Sequence, residues 1–225
     1  MASNPTPADL IAAVNADDAA LVAELVEADP SLADARDEAG VSALMLSKYR
    51  FARPVTDALL AADPERDAFE ATALGEVERL RERLDDDPAA VGAYSADGFT
   101  ALHFAGFFGK PEAARVLLEH GADVGAWTRN PFANQPLHAA AAGRHIEVCR
   151  VLVAAGADVD ARQHGGFTPL HEAAQHGDIE LVELLLSAGA DPAVTEDEGR
   201  TAADLADAAG HPDAAARLRE VAESR

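Results

Sequence analysis

A four-residue motif returns along this chain at a fixed interval, and that interval constrains the fold more than any other feature. Thr168-Pro169-Leu170-His171 recurs in part as Thr100-Ala101-Leu102-His103 and Gln135-Pro136-Leu137-His138. A worn copy is Thr201-Ala202-Ala203-Asp204. The first residues of these copies lie 35, 33 and 33 positions apart. A second motif keeps step: Gly121-Ala122-Asp123, Gly156-Ala157-Asp158 and Gly189-Ala190-Asp191. Two motifs locked to one period mark an array of stacked units, because self-similarity at such a period is the signature of repeat architectures.

The physics of one unit is readable from its residues. Thr168 can cap a helix start, and Pro169 follows at the first helical position, where its missing N–H costs little. Leu170, Ala173 and Ala174 give a short helix with a small apolar face, which Gly177 breaks with a left-handed backbone. Ile179, Leu181, Val182, Leu184, Leu185 and Leu186 form a second, more apolar helix, ended by Gly189. Polar, turn-rich residues follow through Glu198-Gly199. So short a helix pair cannot bury its apolar face alone, and stacked neighbours bury it together in a curved solenoid. With 53 alanines in the chain, the first helices can pack closely while the bulkier second helices spread outside. The concave face is then lined by first helices and hairpin tips.

These motifs resemble the ankyrin repeat, specifically in residues 97–198 and more weakly outside. The resemblance implies an all-α ankyrin-repeat solenoid of about seven helix-turn-helix units with short hairpin loops. Earlier copies survive as pattern: Leu80 and Leu84 match Leu21 and Leu25, and the early helices end in Asp29-Pro30, Asp63-Pro64 and Asp87-Pro88. First motif positions fall near 7, 42, 66, 100, 135, 168 and 201. The step from 42 to 66 is short, so the second unit is expected to lack its hairpin. We expect a single domain over 1–225, with units near 1–40, 41–64, 65–96, 97–131, 132–165, 166–198 and 199–225. Polar residues such as Asp204, Asp207 and Arg217 suit a capping last unit.

Composition excludes several classes. The formal charge is −22, which repels phosphate backbones and anionic membrane surfaces, so neither nucleic acid nor membrane is an expected partner. No apolar run approaches the roughly 20 residues of a membrane helix. Met1 to Asp9 shows no secretory signal, and the lone Cys149 allows no internal disulfide, so a reducing, cytoplasmic location is expected. Two lysines against 16 arginines, with excess Ala and Asp, suit a GC-rich bacterial genome or a salt-adapted one.

No enzyme constellation stands out. His103, His138 and His171 occupy the repeat motif, where the resemblance implies a hydrogen bond within the turn network; His145 and His211 follow the helix break. His164, His171 and His176 cluster in sequence without a carboxylate or Cys that completes a metal spacing. Cys149 lies on an apolar helix as a small buried hydrophobe. Asp85-Asp86-Asp87-Pro88 lacks the alternating ligands of a calcium loop. No cofactor or metal is expected.

Function must then come from the surface. Residues 1–40 carry −8, 41–96 carry −4, 97–165 carry −1, 166–198 carry −8 and 199–225 carry −1. Uniform salt adaptation would not leave the centre near neutral. The same centre collects aromatics: seven of eleven fall within residues 94–132. Desolvated aromatic and Arg anchors commonly carry interface energy. The expected contact residues are Tyr94, Phe104, Phe107, Phe108, Trp127, Arg129, Asn130 and Phe132, extended by Arg162 and His164. The alternative for Phe99, Phe107, Phe108 and Phe132 is a locally thicker core. The leading expectation is a monomeric, non-enzymatic interaction scaffold that binds a protein partner, one basic enough to suit the acidic flanks. A second is an acidic inhibitor or antidote that occludes a basic enzyme, favoured by the all-acidic 166–198 stretch and by Glu180 and Glu183 within it. An enzyme hidden in the fold is the remaining class.

Overall fold

The computed structural model describes residues 4–224. Its fourteen α-helices form seven consecutive pairs: α1 (Pro7–Asn15) and α2 (Ala19–Ala28), α3 (Ala43–Tyr49) and α4 (Arg53–Leu60), α5 (Ala68–Leu74) and α6 (Val77–Asp86), α7 (Ala101–Phe107) and α8 (Pro111–Glu119), α9 (Pro136–Ala142) and α10 (Ile146–Ala154), α11 (Pro169–Gln175) and α12 (Ile179–Ser187), α13 (Ala202–Ala208) and α14 (Pro212–Glu223). The described residues contain no β-strand. Odd-numbered helices stack on one another as an inner row, and even-numbered helices as an outer row. Isolated antiparallel bridges between Arg36 and Ser42, Tyr94 and Thr100, and Thr195 and Thr201 close three hairpin bases.

Thr100, Gln135 and Thr168 precede α7, α9 and α11, and each donates its backbone N–H to the Nδ1 of a histidine three residues on; at Thr100 the hydroxyl also accepts the His103 N–H. The backbone N–H of Thr100 donates to His103 Nδ1 at 3.2 Å, and that of Gln135 to His138 Nδ1 at 3.2 Å. An Nδ1 that accepts an N–H leaves the proton on Nε2. That Nε2 reaches the hairpin ahead of the next inner helix: His103 to the Asn134 carbonyl at 3.1 Å, His138 to the Ala161 carbonyl at 2.9 Å. His103 and His138 thus each close their own helix and tie it to the hairpin that follows, whereas His171 Nε2 is buried without a hydrogen-bond partner among the described residues. At α1, α5 and α13 a carboxylate (Asp9, Glu70, Asp204) completes a capping box instead.

The hairpins also stack through backbone bonds: Arg129 N–H to the Gly98 carbonyl at 2.8 Å, and Asp197 N–H to that of Gly165 at 3.0 Å. Close approach of α7 to α9 depends on Gly106, since a Cβ there would stand 2.7 Å from the Pro136 carbonyl oxygen.

The apolar interior is divided. One core runs from Ala68 to Leu218 and serves the last five helix pairs; a second serves the first two. Outer helices α2 and α4 pack together, as do α6, α8, α10, α12 and α14 in succession, whereas α4 and α6 barely touch. The chain passes from α4 to α5 with no hairpin bridge. A small aromatic cluster fills this joint. Met45, Ala73 and Phe104 are its buried members, packed by Tyr49, Phe69, Phe99 and Phe108. Phe104 lies edge-on to Phe69 at 5.9 Å and against Phe99 at 5.6 Å between ring centroids.

The histidine ties give the array a pH dependence. Burial pushes His103 and His138 down to about 4 from 6.5. The unfolded chain therefore takes up protons that the folded chain refuses. The associated stability is complete above about pH 6.5 and is lost as pH falls toward 4, on the order of 2 kcal/mol per histidine by pH 5. Urea unfolding at pH 7 and pH 5 should show the falling midpoint, and His103→Gln should flatten that slope while lowering stability at pH 7.

Candidate functional site

The inner row and the hairpins enclose an open groove of about 800 Å³ across the central repeats. Three exposed rings stand at it: Phe51 (74% exposed), Phe107 (41%) and Phe132 (63%). Exposed apolar rings gathered at one groove, unlike ones scattered singly, are an informative observation. Phe51 and Phe107 approach to 6.2 Å between centroids across the intervening α5, and Phe132 lies 6.3 Å from Phe99. Ala142 and Gly143 leave part of the floor smooth. At the far end stand Gln163 and Glu172.

Local structure explains which rings turn outward. Phe104 on α7 and Phe108 at its C-cap are four residues apart and share the face toward the joint, meeting Tyr49 at 6.1 and 6.2 Å. Phe107 stands edge-on to Phe108 at 4.9 Å and turns toward the groove. Phe51 occupies the turn between α3 and α4 with φ +53°, the left-handed conformation held by Gly109 and Gly177 in later repeats. A phenylalanine there is strained by roughly 1 kcal/mol relative to glycine.

The ten expected contact residues divide accordingly. Phe104 is 2% exposed and belongs to the joint, so its expectation as a contact residue is corrected: its side chain is held by rings from three repeats. Phe108 is half-buried beneath the Lys48 ammonium, 5.1 Å from its ring. Tyr94, Arg129 and Asn130 are engaged in tying hairpins together. Arg129 stacks over Tyr94 at 3.7 Å, the Tyr94 hydroxyl donates to the Trp127 carbonyl at 2.9 Å, and Asn130 Nδ2 donates to the Asp97 carbonyl at 2.9 Å. Arg162 bonds the Thr195 carbonyl and Asp197 of the next hairpin. Trp127 and His164 are exposed on the hairpins but do not line the groove. Phe107 and Phe132 are the two expected residues that stand exposed within it. Sequence reasoning missed Phe51, Tyr49 and Glu172. The available signal for Phe51 was a bulky ring at the left-handed turn position.

The charge of residues 166–198 also takes a different form in three dimensions. Asp178 pairs with Arg144 at 3.3 Å, Glu180 with Arg150 at 2.8 Å, and Glu183 with Arg217 at 2.5 Å. Asp197 meets Arg162 at 3.3 Å, and Arg200 holds Glu196 and Glu198. Six of the eight acids in the stretch are thus paired with arginines, and Glu180 and Glu183 are staples between outer helices. Such exposed pairs contribute only about 0–1 kcal/mol each.

Cys149 does not line the groove. It is buried and its thiol is pushed up to about 12 by burial. Among the described residues no group of three or more His, Cys, Asp or Glu side chains could hold a metal ion. No helix in them is long and apolar enough to cross a membrane.

A family model for ankyrin repeats in three copies matches residues 70–163, 125–196 and 163–223. Among curated relatives, human neurogenic locus notch homolog protein 4 is 34% identical over 116 residues, covering 51% of this chain and 6% of that protein. The zebrafish (Danio rerio) neurogenic locus notch homolog protein 1 is 38% identical over 122 residues, 54% of this chain and 5% of its own length. Human protein phosphatase 1 regulatory subunit 27 is 38% identical over 92 residues, 41% of this chain and 58% of that protein. The chain thus spans a small part of the notch homologs and somewhat over half of the phosphatase subunit.

Phe104 and Phe132 should respond oppositely to truncation. Phe104→Ala should cost about 3–5 kcal/mol of stability, as expected for a buried ring. Phe132→Ala should cost well under about 1 kcal/mol. Thermal unfolding of the two variants checks the assignment of core and surface rings.

Proposed function

This chain belongs to the ankyrin repeat family, and from that premise we propose that it is a non-enzymatic protein-interaction scaffold whose partner docks in the groove of the central repeats. Ankyrin repeats generally mediate protein–protein interaction. The observation that carries the reading is the exposure of Phe51, Phe107 and Phe132 along one apolar groove. Rings already held by stacked helices and hairpins lose little freedom on binding, which lowers the ordering cost. The chain would act as a monomer in the cytoplasm, with its contacts preformed.

The buried Cys149 thiol and the neutral, capped histidines support the non-enzymatic part of the reading. His103 and His138 have both ring nitrogens committed to backbone groups, which leaves neither free to move a proton.

Affinity capture from the native lysate with the full chain, beside the Phe107→Ala/Phe132→Ala double variant, tests the siting. The intact chain should retain a partner that the folded double variant loses by roughly a hundredfold or more, the scale of two truncated interface anchors. Equal retention by a folded variant would overturn the siting. Phe51→Gly adds a discriminating case. Relief of its left-handed backbone should raise the unfolding temperature while weakening capture, a sign pattern that a purely structural ring would not give.

A further inference from the structure

The groove has a chemical asymmetry that narrows its occupant. No Lys or Arg lines it; its formal charges are two carboxylates, Asp97 and Glu172. The Asp97 carboxylate accepts the hydroxyls of Tyr49 and Ser95, so hydrogen bonds already hold it. Glu172 differs. Its Oε1 accepts the Gln163 amide at 2.7 Å, and its other oxygen has no hydrogen-bond donor among the described residues. Burial pushes its carboxyl above the ordinary range, with the Gln163 bond and His176 acting in the opposite direction. Six of the seven other acids in residues 166–198 are ion-paired with an arginine, whereas Glu172 has no such pair. A half-buried carboxylate without a cation is the expensive member of a polar site, and an incoming guanidinium or ammonium would complete it.

We propose that the groove takes a segment of a partner protein in which a large apolar side chain is followed or preceded at a fixed offset by Arg or Lys. The apolar side chain lies among Phe107, Phe132 and Phe51, and the cation reaches Glu172. Charge complementarity selects this occupant: the lining is apolar with two acids, and a chain of −22 repels an acidic segment before contact. This inference rests on the groove being the docking site, and Glu172 then sets which segments it accepts.

The test uses the immobilised full chain and a synthetic library of peptides of about twelve residues, a length that spans such a groove. A central Phe is fixed and the other positions are random. Retained peptides are sequenced for the intact chain, for Glu172→Gln, for Glu172→Lys and for Phe107→Ala/Phe132→Ala. Glutamine keeps the acceptor for Gln163, so the local fold persists. The intact chain should enrich Arg or Lys at one offset from the Phe by roughly tenfold. Glu172→Gln should lose that preference while still retaining Phe peptides, and Glu172→Lys should move it to Asp or Glu. An unchanged cationic preference in Glu172→Gln overturns the inference. So does a library retained through Phe alone, which leaves the groove reading standing. Retention by the intact chain no greater than by the double variant overturns both.

Discussion

The structure depends on a neutral imidazole that does two jobs at once. An inner helix of seven residues is too short to hold itself, and its first N–H groups need partners. His103 and His138 supply one partner through Nδ1 and spend the remaining proton on a carbonyl of the hairpin that follows. The bond fixes the tautomer, and at both histidines the tie runs C-terminally, into the hairpin ahead of the next inner helix. A carboxylate can complete a capping box but has no proton to send onward, which matches its use at α1, α5 and α13. Small inner residues complete the arrangement, with Gly106 letting α7 sit against α9.

The one place where this regular logic lapses is the step from α4 to α5. The hairpin is missing, the outer helices barely touch, and the apolar core divides. Rings do there what the repeat does elsewhere. Phe104 takes the buried side, Phe69, Tyr49 and Phe108 the half-buried side, and Phe51 and Phe107 emerge at the groove. The joint and the candidate site are thus two faces of one aromatic assembly.

Much of the fold is legible in the sequence because it is written with a period. The caps at Thr100, Gln135, Thr168 and Thr201, the inner and outer helices and the missing hairpin all follow from spacing and turn chemistry. The site is less legible, for two physical reasons. Whether a ring on α7 faces the joint or the groove turns on rotation within a single helical turn, so Phe104 and Phe107 look alike in a count of aromatics. The charges of residues 166–198 look bare when summed along a window, yet their partners sit about one repeat away: Arg150 with Glu180, Arg144 with Asp178, Arg217 with Glu183. Charge in a stacked array has to be summed at the lag of the repeat.

The divided core has a thermodynamic consequence. Phe51 belongs to the second helix pair and Phe107 to the fourth, and the two rings meet over α5. A ligand resting on both would be a splint across the weakest seam of the solenoid. Occupancy and local unfolding of the first two helix pairs then become linked quantities, each measurable through the other.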